Sequence, residues 1–139
     1  MPTDLLNLRN FAMRYTAAWC SQDPTSVAAF YSPDGSLTVN DNRPAVGQHA
    51  ITEVAHSFMS ASPDMCVAMD DLLLQDDQAE YHWTLTGTNT GPGGTGQRVR
   101  ISGLERWRLD PNGLIASSQG TFDAAEYRRQ LEQGFQPKK

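Results

Sequence analysis

The chain has 139 residues and a mass of 15.3 kDa, the size of one domain able to bury a real core. Eleven Lys and Arg against sixteen Asp and Glu give a formal charge of −5 and a pI near 5.0, which argues against a general nucleic-acid surface and against docking on an anionic membrane. Hydrophobic residues make up 39% of the chain, too many for a disordered segment.

No internal repeat, low-complexity tract or linker divides the sequence, so a single domain is expected over 1–139, with an ordered core at about 4–133. No basic start leads into an apolar run of signal-peptide length, and no 18-residue apolar stretch is present. Cys20 and Cys66 fit neither a zinc site nor a redox CxxC. Both are expected as free thiols packed as small apolar groups, in a cytoplasmic protein.

In chain order, Leu5, Leu8, Ala12, Tyr15 and Trp19 recur at helical spacing and predict a helix over 4–21. Asp23-Pro24 is a helix-start signal for a short second helix with Val27, Phe30 and Tyr31 on its apolar face. Ser32-Pro33-Asp34-Gly35 reads as a turn, and 36–39 as a short strand ending at Asn40-Asp41-Asn42. A third helix is expected over 48–60, with Ile51, Val54, Ala55 and Phe58 on one side. From residue 65 onward the pattern is strands. The runs 65–75 and 80–90 flank a polar turn at 76–78, and 97–109 and 114–121 flank Asp110-Pro111-Asn112-Gly113. Asp123 with Glu126 three residues later forms a capping box for a last helix to about 133. Three helices followed by an antiparallel meander make the class α+β.

The strand 97–109 carries the most information. Alternation puts Val99, Ile101, Gly103, Glu105, Trp107 and Leu109 on one face and Arg98, Arg100, Arg106 and Arg108 on the other. The arginines read as a solvated face or a polar subunit interface, or else as a clamp for an anion. Glu105 is the one charge on the apolar side, where a carboxylate costs several kcal/mol unless paired or protonated. It is therefore either a structural partner or an acid with a raised pKa of the kind proton transfer uses. The glycine-rich run 87–96 has no following lysine or helix and is a hairpin connection rather than a phosphate loop. His49, His56 and His82 form no metal-ligand pattern, so neither a metal nor a cofactor is expected.

With these residues laid out, the chain resembles the SnoaL-like polyketide cyclase group of the nuclear transport factor 2-like superfamily. The resemblance spans about 5–131. It rests on Ala18-Trp19, the run Phe30-Tyr31-Ser32-Pro33-Asp34-Gly35-Ser36, Val46-Gly47, Gly87-Thr88-Asn89-Thr90-Gly91, Asn112-Gly113-Leu114-Ile115 and Phe122-Asp123. It implies a cystatin-like cone, in which N-terminal helices pack against a curved, mainly antiparallel sheet that encloses an apolar pocket. It also implies a homodimer and a small apolar molecule as partner.

The acid/base aspartate of SnoaL-type cyclases aligns with Gly120 here, and their accompanying histidine falls near Arg106. Local strings are closer to the ketosteroid isomerases. Ala12-Met13-Arg14-Tyr15 is similar to the segment holding their helical tyrosine, and Leu37-Thr38-Val39-Asn40-Asp41 to the one ending in their base. Their second acid falls at Glu105, where they have aspartate. By that resemblance Asp41 abstracts a proton next to a carbonyl, while Tyr15 and protonated Glu105 bind the enolate oxygen. Trp19, Phe58, His82, Trp107 and Phe122 are the expected ligand-binding wall. Asp123 reads either as a substitute for the cyclase aspartate or as a helix cap, and its capping position explains it without catalysis. The competing expectation is a non-catalytic binding or dimerisation module built on the same pocket.

Overall fold

The computed structural model describes residues 5–75 and 78–134. Helix α1 (Leu5–Cys20) buries Leu8, Ala12, Tyr15 and Trp19, the stripe that its spacing predicts. Helix α2 (Pro24–Ala28) starts as expected, with the Asp23 carboxylate accepting from the Thr25 amide at 3.2 Å and Pro24 in the first turn. Strand β1 (Tyr31–Val39), strand β2 (Ala45–Val46) and helix α3 (Gln48–Ala61) follow. Strands β3 (Cys66–Gln75), β4 (Gln78–Thr88), β5 (Arg98–Leu109) and β6 (Ile115–Phe122) lead to helix α4 (Ala124–Gln133).

The six strands form one curled, unclosed sheet in the order β2-β1-β6-β5-β4-β3. From β3 to β6 it is the expected antiparallel meander, while β1 lies parallel to β6. The expected α+β class and mainly antiparallel sheet are thus present.

Three local features differ from the sequence reading. The second helix ends at Ala28, and 32–35 is not a free turn but part of β1. Tyr31 pairs with Ile115, and the register with β6 shifts between Tyr31 and Ser36, so these residues form an irregular stretch of strand. A Cβ at Gly35 would stand 2.8 Å from the Ile115 carbonyl oxygen, so glycine is what lets the two backbones approach here. Sheet pairing overrides the turn chemistry of Ser-Pro-Asp-Gly. The second difference is β2, two residues beyond any period-2 signal, which pair with Ser36 and Leu37. The third is the cysteines. Cys66 is exposed rather than packed, and Cys20 is half-buried beside it, its sulfur accepting from the Val67 amide at 3.1 Å. Residues 76 and 77 of the expected 76–78 turn lie outside the described residues.

The last helix completes the sheet. Asp123 caps it by accepting from the Glu126 amide at 3.0 Å. From its second turn Gln130 reaches the stretch of β5 that extends past β6. Its Oε1 accepts from the Arg100 amide at 2.6 Å and its Nε2 donates to the Arg100 carbonyl at 3.0 Å. The side chain thus stands in for a missing strand neighbour. Among the described residues, no helix is long and apolar enough to cross a membrane.

Candidate functional site

Strand β5 alternates as its sequence predicts. Val99, Ile101, Glu105 and Trp107 are buried, while Arg98, Arg100, Arg106 and Arg108 face solvent. Glu105 is therefore carried inward by strand period alone. It is 8% exposed and pairs across the sheet with Gly120 of β6 and Tyr81 of β4.

Three donors meet on one of its oxygens. The Tyr15 hydroxyl of α1 donates to Glu105 Oε1 at 2.9 Å, the Trp107 indole N–H at 2.8 Å and the Ser118 hydroxyl of β6 at 3.1 Å. The Tyr15 proton is committed to Glu105, so in the 2.8 Å contact between the Tyr15 and Tyr31 hydroxyls it is Tyr31 that donates. Trp107 is locked by stacking on Tyr81, with centroids 4.9 Å apart and planes 17° off parallel, and by an edge contact with Tyr15. No donor among the described residues reaches Glu105 Oε2.

Burial is the largest influence on the Glu105 carboxyl and pushes its pKa up; the three hydrogen bonds pull the other way without cancelling it. Burial likewise drives the Tyr15 and Tyr31 hydroxyls well above the ordinary tyrosine value, reinforced by the nearby Glu105 charge. At neutral pH both tyrosines are donors, not phenolates.

Glu105 also lines a cavity of about 50 Å³ whose wall is otherwise almost wholly apolar. Trp19 of α1, Val54 and Phe58 of α3, Leu37 and Val39 of β1, Trp83 of β4 and Phe122 of β6 contribute to it. Trp19, Phe58 and Phe122, three of the residues expected in a ligand-binding wall, line this cavity. Trp107 sits behind Glu105, buried and donating to it, and is absent from the wall. His82 is a correction. It lies on the opposite face of β4 from Tyr81, Trp83 and Leu85, half-exposed, with its Nε2 3.2 Å from Glu80 Oε1. The strand could be read in either phase, and the buried partners Tyr81 and Leu85 decide it.

Of the three expected acid–base residues, the structure brings Tyr15 and Glu105 into direct contact and leaves Asp41 apart. Asp41 is exposed in the turn after β1 and does not line the cavity. The preceding Asn40, at φ 54°, ties that turn to β6, its Oδ1 accepting from the Phe122 amide at 2.9 Å and its amide donating to the Gly120 carbonyl at 2.8 Å. Gly120 itself lines the cavity, and a Cβ there would make only ordinary contacts, 3.5 Å from Glu105 Cγ. The wall thus has room at the position that aligns with the cyclase aspartate. Arg106, at the histidine position, points outward and pairs with Glu80 at 3.2 Å.

Sequence reasoning missed Tyr31, Ser118 and Trp83. Ser118 carried a usable signal, because it is two residues before Gly120 on the same face of β6 and registers with Trp107. Among the described residues no cluster of three or more His, Cys, Asp or Glu could hold a metal ion.

Comparison with known proteins bears on the family and the fold. The sequence profile described as SnoaL-like polyketide cyclase matches residues 9–131. No curated protein matches the chain. Several solved structures share its fold. TsrD from Streptomyces laurentii superposes with a TM-score of 0.80 at 21% identity, over 93% of this chain and 97% of that one. AclR from Streptomyces galilaeus, described as a putative hydroxylase, gives 0.79 at 21% identity over 93% and 98%. A hypothetical protein with a ketosteroid isomerase-like fold from Catenulispora acidiphila, in complex with trimethylamine, gives 0.78 at 14% identity over 88% and 92%. At these identities the structures share the fold alone, whereas the profile covers most of the sequence, and the chain belongs to the SnoaL-like polyketide cyclase family.

Proposed function

We propose that the protein binds an apolar, carbonyl-containing small molecule and performs cofactor-independent acid–base chemistry of isomerase or cyclase type on it, with Glu105 meeting the carbonyl oxygen. One observation carries this reading: a buried carboxyl lines an apolar cavity with one oxygen saturated by three donors and the other free. In the neutral acid that burial favours, Oε1 is the carbonyl oxygen that accepts from Tyr15, Trp107 and Ser118. The proton then rides on Oε2 and is offered to the ligand. A hydrogen bond there, in a site with little water, stabilises the charge that develops on a carbonyl oxygen as a neighbouring C–H is lost. Tyr15 acts through Glu105, since its own proton is already donated. Asp41 remains the proposed base on resemblance alone, from an exposed turn outside the cavity lining.

A second reading, a non-catalytic ligand-binding module, is favoured by the separation of Asp41 from Glu105 and by the glycine at position 120. The homodimer and the cytoplasmic setting belong to the same proposal. The exposed arginine face of β5 supports the first as a polar contact surface, and the two free thiols support the second.

The test is exchange of α-protons into D2O, followed by NMR over a panel of enolisable ketones, alongside binding read from tryptophan fluorescence. The enzyme reading expects exchange that Glu105→Gln lowers at least about 100-fold while binding persists, because the amide still donates from the Oε2 position. Binding without exchange in the unmodified protein selects the module instead. Exchange unchanged in Asp41→Asn removes Asp41 from the mechanism.

A further inference from the structure

The cavity beside Glu105 has a neighbour. Leu37, Val39, Val54 and Phe58 line it and also line a second cavity of about 210 Å³, which lies against the turn after β1. The inner cavity, at about 50 Å³, has room for only about four water-sized groups. It therefore takes one end of a ligand, and the rest lies outward.

The outer cavity is where the polarity changes. Its remaining lining is Asn42, Arg43 and Ser57. Arg43 is exposed and pairs with no carboxylate among the described residues, although the chain as a whole carries −5. The two adjoining cavities thus differ in kind. The inner end offers a buried acid that is averse to negative charge, and the outer end offers a single free guanidinium.

From this we infer that the natural ligand is an amphipathic keto acid, with its ketone inside against Glu105 and a carboxylate outside on Arg43. The inference rests on the reading of Glu105 given above and adds the ligand's class and direction. A carboxylate suits the site better than a phosphate ester because one guanidinium balances one negative charge and its fork matches two oxygens. The side-chain amide of Asn42 supplies a further possible donor beside it. The reverse orientation is disfavoured because it would bury a carboxylate next to Glu105 in a dry pocket, leaving two acids to share one site.

Binding of three ten-carbon probes, 9-oxodecanoate, its methyl ester and decanoate, tests both ends of the site. Quenching of tryptophan emission, with Trp19 and Trp83 in the wall, reports it. The intact protein is expected to prefer the keto acid over its ester on the order of ten-fold, with the preference shrinking as salt is added. Arg43→Gln, at an exposed position, should leave the melting temperature and the ester's affinity unchanged and abolish the preference. Equal affinity for acid and ester in the intact protein overturns the inference, as does a preference that survives Arg43→Gln. Failure of all three probes to bind at millimolar concentration also overturns it. If decanoate binds as tightly as the keto acid while the preference for acid over ester holds, the reading of Glu105 as the carbonyl's partner fails and the anionic end stands.

Discussion

Glu105 is held in a compromise between two opposed forces. Burial favours its neutral form, and the hydrogen bonds from Trp107, Tyr15 and Ser118 favour the carboxylate; burial is the larger, so the folded-state pKa lies above the unfolded value. The consequence for stability has a definite sign. Below the unfolded pKa both states hold the proton, and Glu105 adds no pH dependence. As pH rises past that value the unfolded chain releases its proton first, so the folded state binds more protons and stability falls. The fall ends once pH passes the folded pKa. Glu105→Gln lacks this term, so the melting temperature of the unmodified protein should drop relative to the variant from about pH 4 upward and then level off. Asp64, Asp110 and Glu126, whose pKa values are lowered, push stability the other way in both proteins and cancel in the difference. A difference that stays flat or rises with pH would mean that Glu105 is ionised in the fold and acts as a structural anion.

Between elements, the joints decide more than the elements do. Gln130 of α4 satisfies both backbone groups of Arg100 where β5 runs beyond β6, and it is 3% exposed. Gln130→Ala removes both partners at once, with an expected cost of about 1–3 kcal/mol. Chemical denaturation should show it, and native-state hydrogen exchange should show faster exchange at the Arg100 amide than at Val99. The same distinction between element and joint explains what the sequence made legible. The faces of β5, the stripe of α1 and the capping of α2 and α4 follow from residues a few positions apart, so period and capping chemistry find them. Tyr31 reads as helical from its neighbours because its determinant, pairing with Ile115, lies on a strand far along the chain. His82 could not be phased until Tyr81 and Leu85 had a core to face. Family likeness and strand alternation single out Tyr15 and Glu105 as two ligands of one oxygen, and the structure instead joins them directly by a hydrogen bond. Tyr31 depends on the parallel β1–β6 pairing, which no local pattern encodes, whereas Ser118 follows from strand period once Gly120 is set on the inner face of β6.

At the scale of the molecule, the pocket is a meeting point rather than a property of one element. Helix α1 gives it Trp19, α3 gives Val54 and Phe58, β1 gives Leu37 and Val39, and β3 to β6 give Val67, Trp83, Glu105 and Phe122. These groups come from the start, middle and end of the chain, and unfolding scatters all of them. A ligand seated there binds the folded state and has no comparable site on the unfolded chain, so its free energy of binding adds to the stability of the whole domain. At a hundred times the dissociation constant the gain is about 2.7 kcal/mol, which for a domain of this size raises the melting temperature on the order of 10 °C. The rise should continue with the logarithm of ligand concentration beyond saturation of the fluorescence signal, since linkage does not saturate when binding does. The slowing of hydrogen exchange should reach α3 and β1 together, because Val54, Phe58, Leu37 and Val39 face both cavities. A ligand that saturates the fluorescence but leaves the melting temperature unmoved binds the unfolded chain equally well, and the pocket is then not its site.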